Sequence, residues 1–103
     1  MADAPYPRRF AGLETRTVLG RSVPVAAGFR SRLLGLALLS RKSAGHGLLI
    51  PRCSSVHTFG MRFELDLLFL DGGGRIIEMR RSVPPGRVVR CTTASAVLEL
   101  PAP

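Results

Sequence analysis

The chain has 103 residues, 46% of them hydrophobic and 21% charged. That size and balance fit one domain able to bury its own core, and exclude a disordered chain, a collagen, a coiled coil and a disulfide scaffold. The net charge is +8, from 15 Lys+Arg against 7 Asp+Glu, with Lys42 the single lysine. The arginines are spread along the chain and Trp is absent, so a base-stacking platform has no support; a compositional bias towards Arg, Ala, Gly and Pro is the simpler account of the charge.

Residues 1–14 read as an N-terminal arm, loosest over Met1–Pro7, and residues 15–103 as a single domain. Arg8-Arg9 is not accompanied by an apolar stretch, so it reads as a basic arm rather than an export signal, and a cytoplasmic location is expected. Thr15–Leu19 and Ser22–Ala26 are β-prone, and Gly20-Arg21 between them predicts a hairpin. Over Ala26–Ser40 the period changes. Phe29, Leu33, Leu36 and Leu39 fall three or four apart, which predicts an amphipathic helix of roughly three turns. Gly28 and Gly35 each weaken it by about 1 kcal/mol relative to Ala, and Gly35 is expected to permit close packing or to end the helix. The longest apolar run, Leu33–Leu39, is far shorter than the ~20 residues of a membrane helix, so no membrane span is predicted.

Leu48–Ile50 reads as a short strand stopped by Pro51. Val56–Met61 is ambiguous. Phe63–Leu70 carries the strongest strand pattern: Phe63, Leu65, Leu67 and Phe69 share one face, while Glu64, Asp66, Leu68 and Leu70 share the other. One face is expected to be buried throughout, the second only towards its C-terminal end. Asp71-Gly72-Gly73-Gly74 is a structural turn. No Lys-Ser/Thr and no helix follow it, so a phosphate-loop reading fails. Arg75–Arg81 returns as the partner strand. A three-residue loop, Gly72–Gly74, would place Phe69 opposite Ile77, Leu67 opposite Met79 and Asp66 opposite Arg80, in cross-strand pairs of about 0.2–1 kcal/mol each. Val83-Pro84-Pro85-Gly86 breaks the strand, Arg87–Arg90 is a brief one, and Ala96–Leu100 is the last. The order predicts a mainly β protein with one helix (α+β): a small antiparallel β-sandwich or open barrel with the amphipathic helix packed on it.

Four segments carry a resemblance. Glu64–Asp71 followed by Gly74-Arg75-Ile76-Ile77, Arg32-Leu33-Leu34-Gly35-Leu36, Gly47-Leu48-Leu49-Ile50 and Val97-Leu98-Glu99-Leu100-Pro101-Ala102 together resemble the domain of unknown function 192 family, also called uncharacterised protein family 0127. The resemblance covers most of Ala26–Ala102 and implies a compact, mainly β fold with one helix; it implies no activity. Where many members have Trp-Met-Lys-Asn-Thr, this chain has His57-Thr58-Phe59-Gly60-Met61, and Glu64 replaces a proline, which marks a His-Thr-x-x-Met subgroup variant. The family continues past the Leu-Pro-Ala signature. Ending at Pro103, this chain is expected to be truncated or to leave that edge of the fold open.

Cys53, His57 and Cys91 offer thiol and imidazole, the ligand types of zinc. Cys53-x3-His57 is not a strong ligand spacing, and a fourth ligand would have to be His46 or Asp66, so no metal and no cofactor is assigned. With no sign of an oxidising compartment, reduced cysteines are expected rather than a Cys53–Cys91 disulfide. Side chains four apart meet on a helix, which the segment after Pro51 does not form, so Cys53 and His57 are not assigned as a nucleophile pair and no catalytic residue is named. Asp66 is an acid in the middle of the strongest strand, expected either to pair with Arg80 or Arg62 or to line a pocket with His57 and Thr58. The expectation is a ligand-binding or accessory module whose ligand surface comprises Cys53, His57, Thr58, Met61 and Asp66, with a small ligand or a protein as partner. Two alternatives stay open: an arginine-driven binder of nucleic acid or another polyanion, and a cysteine- or metal-dependent enzyme.

Overall fold

Short apolar runs punctuated by Gly and Pro build eight strands in a computed structural model that describes residues 10, 12–28, 32 and 34–103. They are β1 (Thr15–Val18), β2 (Arg21–Pro24), β3 (Leu48–Pro51), β4 (Ser55–His57), β5 (Leu65–Leu70), β6 (Ile76–Val83), β7 (Val88–Arg90) and β8 (Ala96–Pro101). The strands form antiparallel sheets that do not close into a barrel: a four-stranded sheet in the order β3-β8-β5-β6, flanked by the pairs β1-β2 and β4-β7. The last strand is not an open edge, because β8 lies between β3 and β5.

The β1-β2 hairpin turns at Leu19 and Gly20 (φ 50° and 81°), one residue earlier than Gly20-Arg21. Two left-handed residues in a two-residue turn match the right-handed twist of the strands they join. This hairpin covers one face of the central sheet, where Val18, Val23 and Val25 pack with Leu68, Leu70 and Leu98. The opposite face carries the larger core, in which Leu48, Leu65, Leu67, Phe69 and Val97 meet Val56 and Val89 of the β4-β7 pair. Phe10, in the segment read as an arm, is buried in that core. All six residues of β5 are therefore buried, not one face and part of the other.

The three-turn helix expected over Ala26–Ser40 is not supported: among the described residues of that span only Arg32 and Leu34 are helical, with the Arg32 N–H donating to the Gly28 carbonyl at 2.9 Å. Phe29 and Leu33, two positions of its apolar stripe, lie outside the described residues. The described remainder shows why a three-turn helix fails: Gly35 and Leu38 both have left-handed backbone (φ 51° and 66°), and residues so close together cannot share one α-helix. Leu36 is nevertheless buried, and Leu39 packs against the same core, so the stripe records burial without the helical period.

The β5-β6 register also differs from the expectation. Leu70 pairs with Ile76, Phe69 with Glu78, Leu68 with Met79 and Leu67 with Arg80. The connection is longer because Asp71 organises it: its Oδ1 accepts from the N–H groups of Gly73 and Arg75, both at 2.9 Å. The pairing leaves Ile77 as an extra residue, and a second irregularity lies where Leu65 pairs with Val83. Ile76, Ile77 and Met79 are thereby turned outward and exposed. At the second irregularity Asp66 Oδ1 accepts from the Ser82 N–H at 2.8 Å, and Ser82 has φ 52°. Arg81 Nε lies 4.0 Å from the other carboxylate oxygen; neither Arg80 nor Arg62 is the partner. Removing this acceptor leaves a strand N–H without its bond. Asp66→Ala is expected to cost about 1–3 kcal/mol in urea unfolding; an unchanged midpoint and slope would contradict the role.

Candidate functional site

The central strand β8 alternates as a strand must. Leu98 faces the hairpin side, and Val97 and Glu99 face the larger core. Glu99 has Leu48 and Leu67 as its cross-strand neighbours and is only 2% exposed. A carboxyl is thus held on the apolar side of a strand paired along both edges. A backbone hydrogen bond from Leu36 reaches it. Its Oε1 has no hydrogen-bond partner among the described residues. Two glycines make the close packing around it workable. A Cβ at Gly35 would lie 2.8 Å from Oε1, and one at Gly47 (φ 109°) would lie 2.4 Å from the Glu99 carbonyl oxygen. Only glycine tolerates both the backbone angle and the approach.

Glu99 lines a cavity of about 260 Å³ that lies between the central sheet and the β4 segment. Ile50, Val56 and Met61 give it apolar walls, and exposed Ser55 stands at its margin. Three of the residues expected from the sequence line it: Cys53, His57 and Met61. The Cys53 thiol donates to the Ser55 carbonyl at 3.1 Å. His57 Nδ1 accepts from the Phe59 N–H at 3.2 Å, and its ring stacks on Phe59 with centroids 5.7 Å apart. Both contacts hold the imidazole against Phe59.

Thr58 and Asp66 do not line the cavity. Thr58 is fully buried and staples two loops: its hydroxyl donates to the Pro84 carbonyl and accepts from the Arg87 N–H, each at 2.8 Å. Asp66 is spent on the Ser82 N–H and projects to the hairpin side. Cys53 and Cys91 are both free, and Cys91 belongs to the core. No cluster of three His, Cys, Asp or Glu side chains that could hold a metal ion occurs among the described residues. The two charged residues of the cavity, Arg32 and Glu99, were not anticipated. Arg32 lines it while its guanidinium donates to the carbonyls of Pro51 and Arg52. Glu99 carried the same signal that drew attention to Asp66, a lone acid within an apolar strand.

A model of the DUF192 family, described as an uncharacterized ACR, matches residues 10–103. The chain belongs to the DUF192 family. A candidate transcription regulator from Sinorhizobium meliloti 1021 has a similar crystal structure, at 24% identity and TM-score 0.70, over 85% of this chain and 77% of that one. A protein of unknown function from Novosphingobium aromaticivorans DSM 12444 is similar at 18% identity and TM-score 0.66, over 98% of this chain and 83% of that one. At these identities the likeness shows the fold alone. No curated protein matches the sequence. Within this DUF192 domain, three of the four segments that carry the family resemblance meet at one carboxyl. Arg32 and Gly35 come from the first, Gly47 and Ile50 from the second, and Glu99 from the last.

Desolvation dominates the chemistry of that carboxyl. Burial pushes Glu99 up from 4.5 to about 7, and the Leu36 hydrogen bond only partly opposes it. A raised acid holds its proton more tightly in the folded state. The folded protein therefore loses stability as pH rises from 4.5 through about 7, by about 3 kcal/mol from this group. Glu99→Gln abolishes that loss. Urea unfolding of the variant should show a gain over the parent at pH 8 that is absent at pH 4. A difference of equal size at both pH values would contradict the assignment.

Proposed function

We propose that this DUF192 domain is a ligand-binding module and that its site is the Glu99 cavity. One observation carries the reading: a buried carboxylate oxygen of Glu99, with no hydrogen-bond partner among the described residues, on a side chain that lines a cavity large enough for a small molecule. An unpaired buried polar atom costs roughly 1–3 kcal/mol, a penalty that a bound partner removes. Apolar walls with a few convergent polar groups are the ordinary make-up of a small-molecule site, and about 260 Å³ lies just below the range of drug-sized ligands. Cys53, His57 and Met61 belong to this site, joined by Arg32 and Glu99. Thr58 and Asp66 serve the loops and the strand that hold it.

The alternative polyanion reading has one local observation behind it: Arg80, Arg81 and Arg87 share a shallow groove between β6 and β7. Amide chemical-shift mapping separates the two. A polar fragment library should contain molecules that move Gly35, Cys53 and His57, and Ser55→Trp at the cavity margin should block them. If no fragment moves those residues, while a heparin oligosaccharide moves Arg80, Arg81 and Arg87, the cavity reading is replaced by the polyanion one.

A further inference from the structure

The deep and shallow ends of the cavity differ in charge, and that difference selects among ligands. Glu99 lies at the buried end, with Leu48 and Leu67 beside it and an oxygen that nothing in the described structure occupies. Arg32 is only half-buried, and its guanidinium is already directed at two backbone carbonyls at the end of β3. No arginine or lysine approaches Glu99 within 4.0 Å among the described residues. A charge in a low-dielectric site acts far more strongly than one screened at the margin. Between the two ends the walls are aliphatic or thioether: Ile50, Val56 and Met61.

We infer that the cavity takes a small organic cation, a primary ammonium on a short apolar stem, with the ammonium at the Glu99 carboxylate and the stem lying against Ile50, Val56 and Met61. This rests on the cavity being a ligand site, and adds the chemical class. An ammonium supplies the missing donor and the opposing charge together, whereas an alcohol supplies only the donor. A carboxylate would meet Glu99 as a like charge. The charged and titratable groups that line the cavity with Glu99 are Arg32, from the helical residues before Gly35, and Cys53 and His57 from the β4 segment; the Leu36 N–H reaches the carboxyl, and β3 and β5 present aliphatic side chains. Because only the ionised carboxylate attracts a cation, binding releases a proton wherever Glu99 is still protonated. Affinity should therefore rise about tenfold between pH 6 and pH 8, following the ionised fraction of a group that titrates at about 7.

The test uses three probes of equal length, n-butylamine, n-butanol and butyrate, followed by amide shifts and thermal stability of the full chain. Butylamine should bind at least tenfold more tightly than butanol at pH 8, and butyrate more weakly still. Glu99→Gln should erase the preference and the pH slope. Asp66→Asn, which removes a carboxylate outside the cavity, should leave both, which ties the effect to the cavity carboxyl. Butanol or butyrate binding in the cavity as tightly as butylamine overturns the cation while leaving the ligand site standing. If none of the three moves Gly35 or Cys53, both are overturned.

Discussion

The structure is organised around a carboxyl on the core side of its central strand. β8 is hydrogen-bonded on both edges, so its own sheet has no spare N–H to offer Glu99. The carboxyl must look across to the segment after Arg32, where Leu36 meets it with one backbone bond. That demand shapes its surroundings. Gly35 and Gly47 remove the two side chains that would collide with the glutamate and its backbone. The left-handed turns at Gly35 and Leu38 end any regular helix there and carry Leu36 into the core. The cavity is lined by Glu99 from the central sheet and by residues of the β4 segment.

Asp66 and Glu99 make the governing physics plain by contrast. Both are acids within apolar strands, and both are almost fully buried. Asp66 sits on β5 opposite an irregular β6, where an extra residue frees the Ser82 N–H, and Arg81 stands close by. Its desolvation is offset on the spot, so it is a structural acid. Glu99 lies where the ladder is regular on both sides, and one of its oxygens finds no hydrogen-bond partner among the described residues. Which strand an acid occupies, and whether its neighbour is bulged, decides between a fastening and a site.

The strands were legible because short apolar runs end at Gly or Pro: Pro51 closes β3, Val83–Gly86 closes β6 and Pro101 closes β8. The register of β5 on β6 was not, because irregular pairing comes from local acceptors such as the Asp71 and Asp66 carboxylates and leaves no periodic trace in the residues. The Ala26–Ser40 stripe gave burial correctly at Leu36 but not the helix, since the positive φ at Leu38 has no sequence marker. The cavity was half legible. Cys53, His57 and Met61 lie close together in the chain, and their density of reactive groups marks the segment. Arg32 and Glu99 come from segments 67 residues apart in number, and only β8 lying between β3 and β5 brings the carboxyl to them.

The account rests on Glu99 being dry and under-partnered, and a site-resolved titration reaches that directly. Carbon-detected NMR of the glutamate side-chain carboxyls should show one group, absent in Glu99→Gln, with a midpoint at about 7, well above the ordinary 4.5. A Glu99 midpoint at or below 4.5 would mean that the carboxylate is hydrated or fully bonded, and the site as described would not exist.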